Sequence, residues 1–94
     1  MSDYPSEEVL ESIRTWNGDM EGCFEIMREN WWSSSLLFTR RGRIIKMSTG
    51  GWSGNEDLID ALHKATNVVW MLCWVSSTRG GHYVFEIPKG ENNP

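Results

Sequence analysis

The chain has 94 residues, a length that accommodates one domain with one modest hydrophobic core. Its 13 acidic residues outnumber nine Lys and Arg, and the net charge of −4 argues against a protein that binds nucleic-acid phosphates over its whole surface. Six tryptophans and five methionines supply enough apolar bulk to exclude a disordered chain. We therefore expect one folded domain over residues 1–94 that binds no nucleic acid.

The N-terminal part of the chain carries a helical pattern. Over residues 6–16 the apolar side chains fall on one side of a helix, and Pro5 suits its first turn. An Asn-Gly pair then ends this helix, and Asp19 is placed to cap a second one. Residues 6–30 therefore form the helical part of the domain, either as two helices or as one bent unit.

The apolar period changes after residue 33, and residues 34–88 predict a ββαββ arrangement. The segment "SSLLFTRRGRIIKMST" contains two short apolar runs around Arg41-Gly42, which is typical of a β-hairpin. The expected cross-strand pairs are Arg40 with Arg43, Phe38 with Ile45, and Leu36 with Met47. The segment "EDLIDALHKA" then predicts a helix whose core stripe consists of Leu58, Ile59, Leu62 and Ala65.

A second hairpin is predicted where "NVVWMLCWVSS" and "HYVFEIP" flank the turn "TRGG". Alternation gives it two apolar faces, one with Trp70, Leu72, Trp74, Tyr83, Phe85 and Ile87, the other with Met71, Cys73, Val75 and Val84. Because few elements remain to cover both faces, we expect this hairpin in the middle of the sheet or against a partner chain, most simply in a symmetric homodimer. The fold class is α+β, with a mainly antiparallel four-stranded sheet and a frayed tail at residues 89–94.

The reactive side chains give little support for catalysis or for a metal site. Cys23 and Cys73 fit no metal or redox spacing and fall at apolar positions, which favours buried free thiols over a disulfide. His63 and Asp60 are spaced as a surface pair on one helix, and no Ser or Cys has the context of an activated nucleophile. We therefore expect a protein that is not an enzyme and that has no metal and no cofactor.

Targeting patterns are also missing from the sequence. The first residues are acidic, unlike a secretory signal peptide. No apolar run approaches the roughly 20 residues that a membrane span requires. These features predict a soluble, cytoplasmic protein that does not interact with membranes.

The segment "STGGWSGNEDLIDAL" predicts the binding site. Ser53 and Glu56 match a capping box, so a helix should begin near Gly54. Glycines let backbone N–H groups approach an anion at a helix N-terminus, and a tryptophan beside them can stack on a base. The turn "STRGGHY" adds an arginine that can bind phosphate and a histidine that can donate or accept a proton. The candidate ligand-binding residues are Gly50, Gly51, Trp52, Ser53, Gly54, Asn55, Arg79 and His82.

Each of these features also has a purely structural interpretation. Trp52 can fold back as a lid on the core, Arg79 can be a solvated turn residue, and His82 can be a polar group at a strand edge. No lysine follows the glycines, so the loop is not the phosphate loop of an NTPase. The basic cluster "RRGR" at residues 40–43 is of a kind that is usually only solvated.

Three segments, "TGGWSGNEDLIDAL", "WMLCW" and "RGGHYVFEIP", resemble a group of small proteins of bacteriophages and prophages with no settled activity, over roughly residues 31–88. The resemblance implies a phage origin and the host cytoplasm, and it supplies no catalytic residues. Small phage proteins often counter host defence. The leading expectation is therefore capture of a phosphate-bearing small molecule such as a nucleotide immune signal. The alternative is an inhibitor of a host defence protein that uses an acidic, Trp-rich surface.

Overall fold

The computed structural model describes residues 4–65 and 68–89, in which helices pack on one side of a four-stranded sheet. In chain order the elements are α1 (Glu7–Arg14), α2 (Met20–Glu29), α3 (Ser34–Leu37), β1 (Phe38–Arg41), β2 (Ile44–Ser48), α4 (Ser53–His63), α5 (Val69–Cys73), β3 (Trp74–Thr78) and β4 (His82–Glu86). This order confirms the predicted α+β class. Beyond Lys89, the predicted tail lies outside the described residues. The longest described helix has 11 residues, and none of these helices has the length and apolarity to cross a bilayer.

The two N-terminal helices are separate, and side chains cap both of them. Ser6 Oγ accepts a hydrogen bond from the N–H of Val9 at the start of α1, at 3.1 Å. Asp19 Oδ1 accepts from the N–H of Gly22 at 2.8 Å, which confirms the predicted cap of α2. Between the helices, the indole N–H of Trp16 donates to the Asp19 carbonyl at 2.9 Å. Local hydrogen bonds therefore fix both the segment that separates α1 from α2 and the residue at which α2 begins.

The sheet has the strand order β1-β2-β4-β3, and every neighbouring pair is antiparallel. The predicted register of the first hairpin is wrong, because the observed pairs are Phe38 with Met47, Thr39 with Lys46, Arg40 with Ile45, and Arg41 with Ile44. The reason lies in the turn: Gly42, with φ of 62°, takes the first loop position, where a two-residue turn requires a positive φ. Leu36 instead lies in α3. The predicted pairing is shifted by two residues from the observed one. Because side chains along a strand alternate with a period of two, Phe38 and Met47 still face the core.

The second hairpin is shorter than predicted, because residues Val69–Cys73 form α5 and not part of a strand. Val69 and Cys73 are both buried, and their spacing places them on one helical face toward the core. The predicted alternation of Trp70, Leu72 and Trp74 is therefore wrong. In β4, Phe85 is buried, so its side chain lies on an apolar face as alternation predicts. Strand β3 lies at the edge of the sheet, not in its middle, and a bulge interrupts its register between Trp74 and Ser76.

The core forms where the helices meet the inner face of the sheet. Phe24 of α2 contacts Phe85 of β4 with ring centroids 5.3 Å apart, and Trp31 meets Phe38 edge-on at 5.5 Å. Both cysteines are buried free thiols, as predicted. Burial, with a smaller contribution from the nearby Cys73 thiol, raises the pKa of the Cys23 thiol to about 12. Cys23 is therefore a packing residue with little thiolate character.

Asn55 is fully buried and joins three segments of the chain. Its Oδ1 accepts a hydrogen bond from the N–H of Trp32 at 2.8 Å. Its Nδ2 donates to the carbonyl oxygens of Trp32 and Thr49, both at 3.3 Å. The Asn55 side chain thereby provides hydrogen-bond partners for backbone groups of Trp32 and Thr49, which lie outside the helices and strands.

We expect Asn55→Ala to lower the free energy of unfolding by about 2–4 kcal/mol, because it leaves backbone groups without partners. Asn55→Asp should also destabilise the protein, because a carboxylate oxygen would replace the donor Nδ2 and repel the two carbonyl oxygens that it faces. Asn30→Ala is the control: its side chain makes one hydrogen bond, to Ile26 O, and its removal should cost about 0.5–1.5 kcal/mol. Urea unfolding of the three variants measures the difference, and equal losses for Asn55→Ala and Asn30→Ala would contradict this role of Asn55.

Candidate functional site

The predicted glycine loop leads from β2 into α4. Gly50 and Gly51 have φ values of 61° and 74°, which only glycine adopts at low cost. Helix α4 begins at Ser53, with Trp52 as its N-cap, and the cap makes no side-chain hydrogen bond. The predicted capping box is therefore wrong. Ser53 lies one position too far into the helix to cap it, and its hydroxyl accepts a hydrogen bond from Tyr4 OH at 2.6 Å.

The two predicted halves of the site meet at one end of the sheet. Thr49 N–H donates to the Gly81 carbonyl at 2.9 Å. Ser48 Oγ and His82 Nδ1 are hydrogen-bonded at 2.8 Å. A Cβ on Gly81 would overlap Thr49 Oγ1, so the backbones approach as closely as glycine allows. The turn that carries Arg79 thus extends beside the glycine loop.

Trp52 closes over the start of its own helix. Its ring stacks on Trp32 with centroids 5.1 Å apart and an interplanar angle of 23°. A Cβ on Gly54 would lie 2.9 Å from Trp52 Nε1 and 3.0 Å from Pro5. The indole N–H is enclosed and has no hydrogen-bond acceptor among the described residues. Trp52 therefore has the geometry of a half-buried lid, and the exposed tryptophan beside the loop is Trp32, from the segment between α2 and α3.

The candidate residues divide by accessibility. Gly54 and Asn55 are buried, and backbone groups already occupy the Asn55 side chain, so a ligand contact of these two residues stays a prediction that their burial does not favour. The exposed candidates are Gly50, Gly51, Ser53, Arg79 and His82. Trp32 was not predicted as a site residue. Its signal in the sequence is a second tryptophan directly after Trp31, out of phase with the buried helical stripe.

A separate cleft of about 510 Å³ lies between α4, α5 and the strands β3 and β4. It is lined by Glu56, Ile59, Asp60, His63, Trp70, Trp74, Ser77 and Tyr83. Its size lies in the range of ligand pockets. Sequence reasoning missed this cleft because it assigned Trp70 to a strand, whereas α5 brings that ring beside α4.

The cleft combines negative charge with aromatic rings. Asp60 pairs with Lys64 at 3.1 Å, and Glu56 has no ion pair within the described residues. The Trp70 ring lies 4.6 Å from His63 and 6.0 Å from Tyr83, measured between centroids. Cations bind favourably both to carboxylates and to tryptophan faces. The cleft is therefore suited to a cationic group and unsuited to a phosphate.

Beside this cleft lies an unusually apolar exposed surface, which we call the α5–β3 surface. It consists of Val68, Met71, Leu72, Trp74 and Val75. Met71 is 77% exposed, Leu72 53% and Trp74 44%. Single exposed apolar residues are common, but five within a short segment are typical of an interaction site.

A second cleft, of about 450 Å³, lies on the first hairpin and carries the opposite charge. Its lining residues are Thr39, Arg40, Arg41, Ile44 and Lys46. Both terminal nitrogens of Arg40 donate to Glu21, one at 2.8 Å, and this contact lowers the pKa of Glu21 and raises that of Arg40. Arg40 is thus used to hold the hairpin to α2. Arg41 and Lys46 remain as the exposed cations of this cleft.

Within residues 4–65 and 68–89, no group of three or more His, Cys, Asp and Glu side chains is arranged to hold a metal ion. Comparison with protein-family models, with curated proteins and with solved structures gives no match.

We expect Trp52→Phe to change the free energy of unfolding by less than about 1 kcal/mol, because the lost indole N–H has no acceptor. Trp52→Ala should cost about 2–4 kcal/mol, somewhat below the cost for a fully buried aromatic. The matched control is Trp31→Phe. The Trp31 indole N–H donates to Ser48 O at 3.1 Å, so this change should cost more than Trp52→Phe. Urea unfolding compares the variants, and the reverse order of the two Phe substitutions would contradict the lid geometry.

We expect Gly81→Ala to destabilise the protein more than Gly51→Ala. Both glycines have positive φ, so each substitution carries a backbone cost of about 1–2 kcal/mol. A Cβ on Gly51 has nothing within 4 Å, whereas one on Gly81 overlaps Thr49. Thermal unfolding measures the difference. Equal losses would mean that the loop and the turn are not in close contact.

Proposed function

We propose that the protein acts by binding another protein through the α5–β3 surface, without catalysing a reaction itself. The observation that carries this proposal is the exposure of large apolar side chains in the adjoining elements α5 and β3, with Met71 77% exposed. Burial of such side chains by a partner removes apolar area from water, which is the main driving force of association. The adjoining cleft adds Glu56, Asp60 and Trp70, so the whole surface is acidic and rich in tryptophan.

The charge of this surface favours a foreign partner over a second copy of the chain. In a two-fold symmetric dimer the same surface faces itself. If the two-fold axis runs beside the cleft, Glu56 of one copy approaches Glu56 of the other, and like charges at an interface are costly. A homodimer, which the sequence predicts, is the rival occupant of the surface.

The resemblance to phage proteins supports a bacterial host protein as the partner. An inhibitor of a defence protein needs a binding surface and no reaction centre, and the α5–β3 surface meets that requirement. Such an inhibitor acts in the host cytoplasm.

Capture of a phosphate-bearing small molecule is the second candidate function. It is favoured by the contact between the glycine loop and the β3–β4 turn, which brings Arg79 and His82 to the same end of the sheet as Gly50 and Gly51. Trp32 replaces Trp52 as the ring on which a base would stack. Native mass spectrometry of freshly purified protein tests this function, and a co-purified nucleotide would place it first.

We expect Met71→Asp and Leu72→Asp each to weaken partner binding at least about tenfold, because a charge replaces an apolar contact. Leu36→Asp is the matched control: Leu36 is also 77% exposed but lies on α3, away from this surface. The tagged parent and variants are used to recover proteins from a bacterial lysate. A recovered protein is then purified and titrated against each variant by calorimetry, and circular dichroism verifies that the variants are folded.

The proposal requires a purified partner whose affinity falls with Met71→Asp and Leu72→Asp but not with Leu36→Asp. Sedimentation of the protein alone tests the rival occupant. A dimer that only the two surface variants dissociate would assign the surface to a second copy and overturn the proposal. Equal affinity of all three variants for the partner would overturn it as well.

A further inference from the structure

We infer that the cleft between α4, α5, β3 and β4 is a binding site for the cationic end of an arginine or lysine side chain. This inference rests on the proposed function for the source of that side chain, a segment of the partner that lies across the α5–β3 surface. The chemistry of the cleft itself is independent of the partner's identity.

The charge of the cleft comes from one face of α4. Glu56 and Asp60 are four residues apart and therefore lie on the same side of the helix, where both line the cleft. Lys64 pairs with Asp60 at 3.1 Å, so half of the acidic pair is already compensated. Glu56 forms no ion pair with any described residue. An incoming cation therefore meets at least one uncompensated carboxylate.

The opposite walls of the cleft are aromatic. Trp70 packs edge-on against Phe85 at 5.2 Å and against Tyr83 at 6.0 Å, so its ring is held in place by the core. Trp74, on β3, is more exposed and lines the same cleft. Tryptophan faces attract guanidinium and ammonium groups, and the attraction increases as water is excluded. A fixed ring beside a carboxylate is the arrangement that recognises an organic cation.

The position of Trp74 links the cleft to the apolar surface. This residue belongs to both, so a chain segment on the α5–β3 surface can place apolar side chains against Met71 and Leu72 and one basic side chain in the cleft. The volume of about 510 Å³ accommodates an arginine side chain. An acidic side chain would be repelled by Glu56, and an apolar one would bury this carboxylate without a partner.

The test uses small probes whose binding does not depend on an identified partner. N-acetyl-arginine methylamide is titrated into the labelled protein, and the indole N–H signals of Trp70 and Trp74 are followed by NMR. N-acetyl-citrulline methylamide is the neutral isostere, and N-acetyl-lysine methylamide supplies the ammonium group. A short peptide with one arginine between leucines represents the protein source of the cation.

We expect saturable shifts of the Trp70 and Trp74 signals with the arginine and lysine probes and none with citrulline. Glu56→Gln should weaken binding at least about fivefold. Asp57→Asn is the matched control, since it removes the neighbouring charge of the same helical turn but does not line the cleft. The leucine-flanked peptide should bind more tightly than the single amino acid, and Leu72→Asp should remove that gain.

Three results would overturn the inference. The citrulline probe could shift the signals as strongly as the arginine probe, or Asp57→Asn could weaken binding as much as Glu56→Gln. The single amino acid could also bind as tightly as the peptide, which would assign the cleft to a small organic cation instead of a protein side chain. Because none of the titrations requires a partner protein, failure of the proposed function leaves the cleft result standing, and the two failures are distinguishable.

Discussion

The side-chain amide of Asn55 is the interaction on which the rest of the structure depends. It ties the first turn of α4 to the backbone of Trp32, at the end of the N-terminal helices, and to Thr49, at the end of β2. A buried amide that serves three backbone groups leaves its helix little freedom to rotate or slide. The Trp32–Trp52 stack at one end of α4 and the cleft along its side both follow from this placement.

Charge is distributed unevenly over the fold. The cleft beside α4 contains Glu56 and Asp60, whereas the cleft on the first hairpin contains Arg41 and Lys46. The net charge of −4 therefore describes neither surface. A ligand would be attracted to one cleft and repelled by the other, so two partners of opposite charge need not compete. This separation also explains why the composition alone pointed to an acidic protein without locating its binding surface.

Much of the fold could be predicted because local chemistry determines it. Asp19 caps α2, and Leu58 and Leu62 recur at helical spacing and are buried as expected. Prediction failed where two periods fit the same residues. Apolar side chains occupy every position from Val68 to Val75, so alternation could not distinguish a strand from the short helix that tertiary packing selects. The error hid the cleft, because Trp70 reaches α4 only if its segment is helical.

The candidate site was located only in part for a related reason. Sequence spacing identified the glycines that need positive φ, and the structure brings the loop and the turn together at Thr49 and Gly81. Spacing gives no information on which face of an indole is already covered, and Trp32 covers Trp52 from a distant part of the chain. The sequence also leaves two roles open for Asn55, because an amide after a glycine loop can serve a ligand or the backbone, and its neighbours in the fold use it for the backbone.

The bulge between Trp74 and Ser76 has a consequence for the behaviour of the protein in concentrated solution. Strand β3 is an open edge with apolar side chains, and a regular edge of this kind invites open-ended stacking of sheets into fibres. The extra residue breaks the regular spacing of the free N–H and C=O groups, so a second strand cannot form a long ladder along it. The apolar α5–β3 surface can thus stay exposed while the bulge opposes aggregation of the protein through this edge.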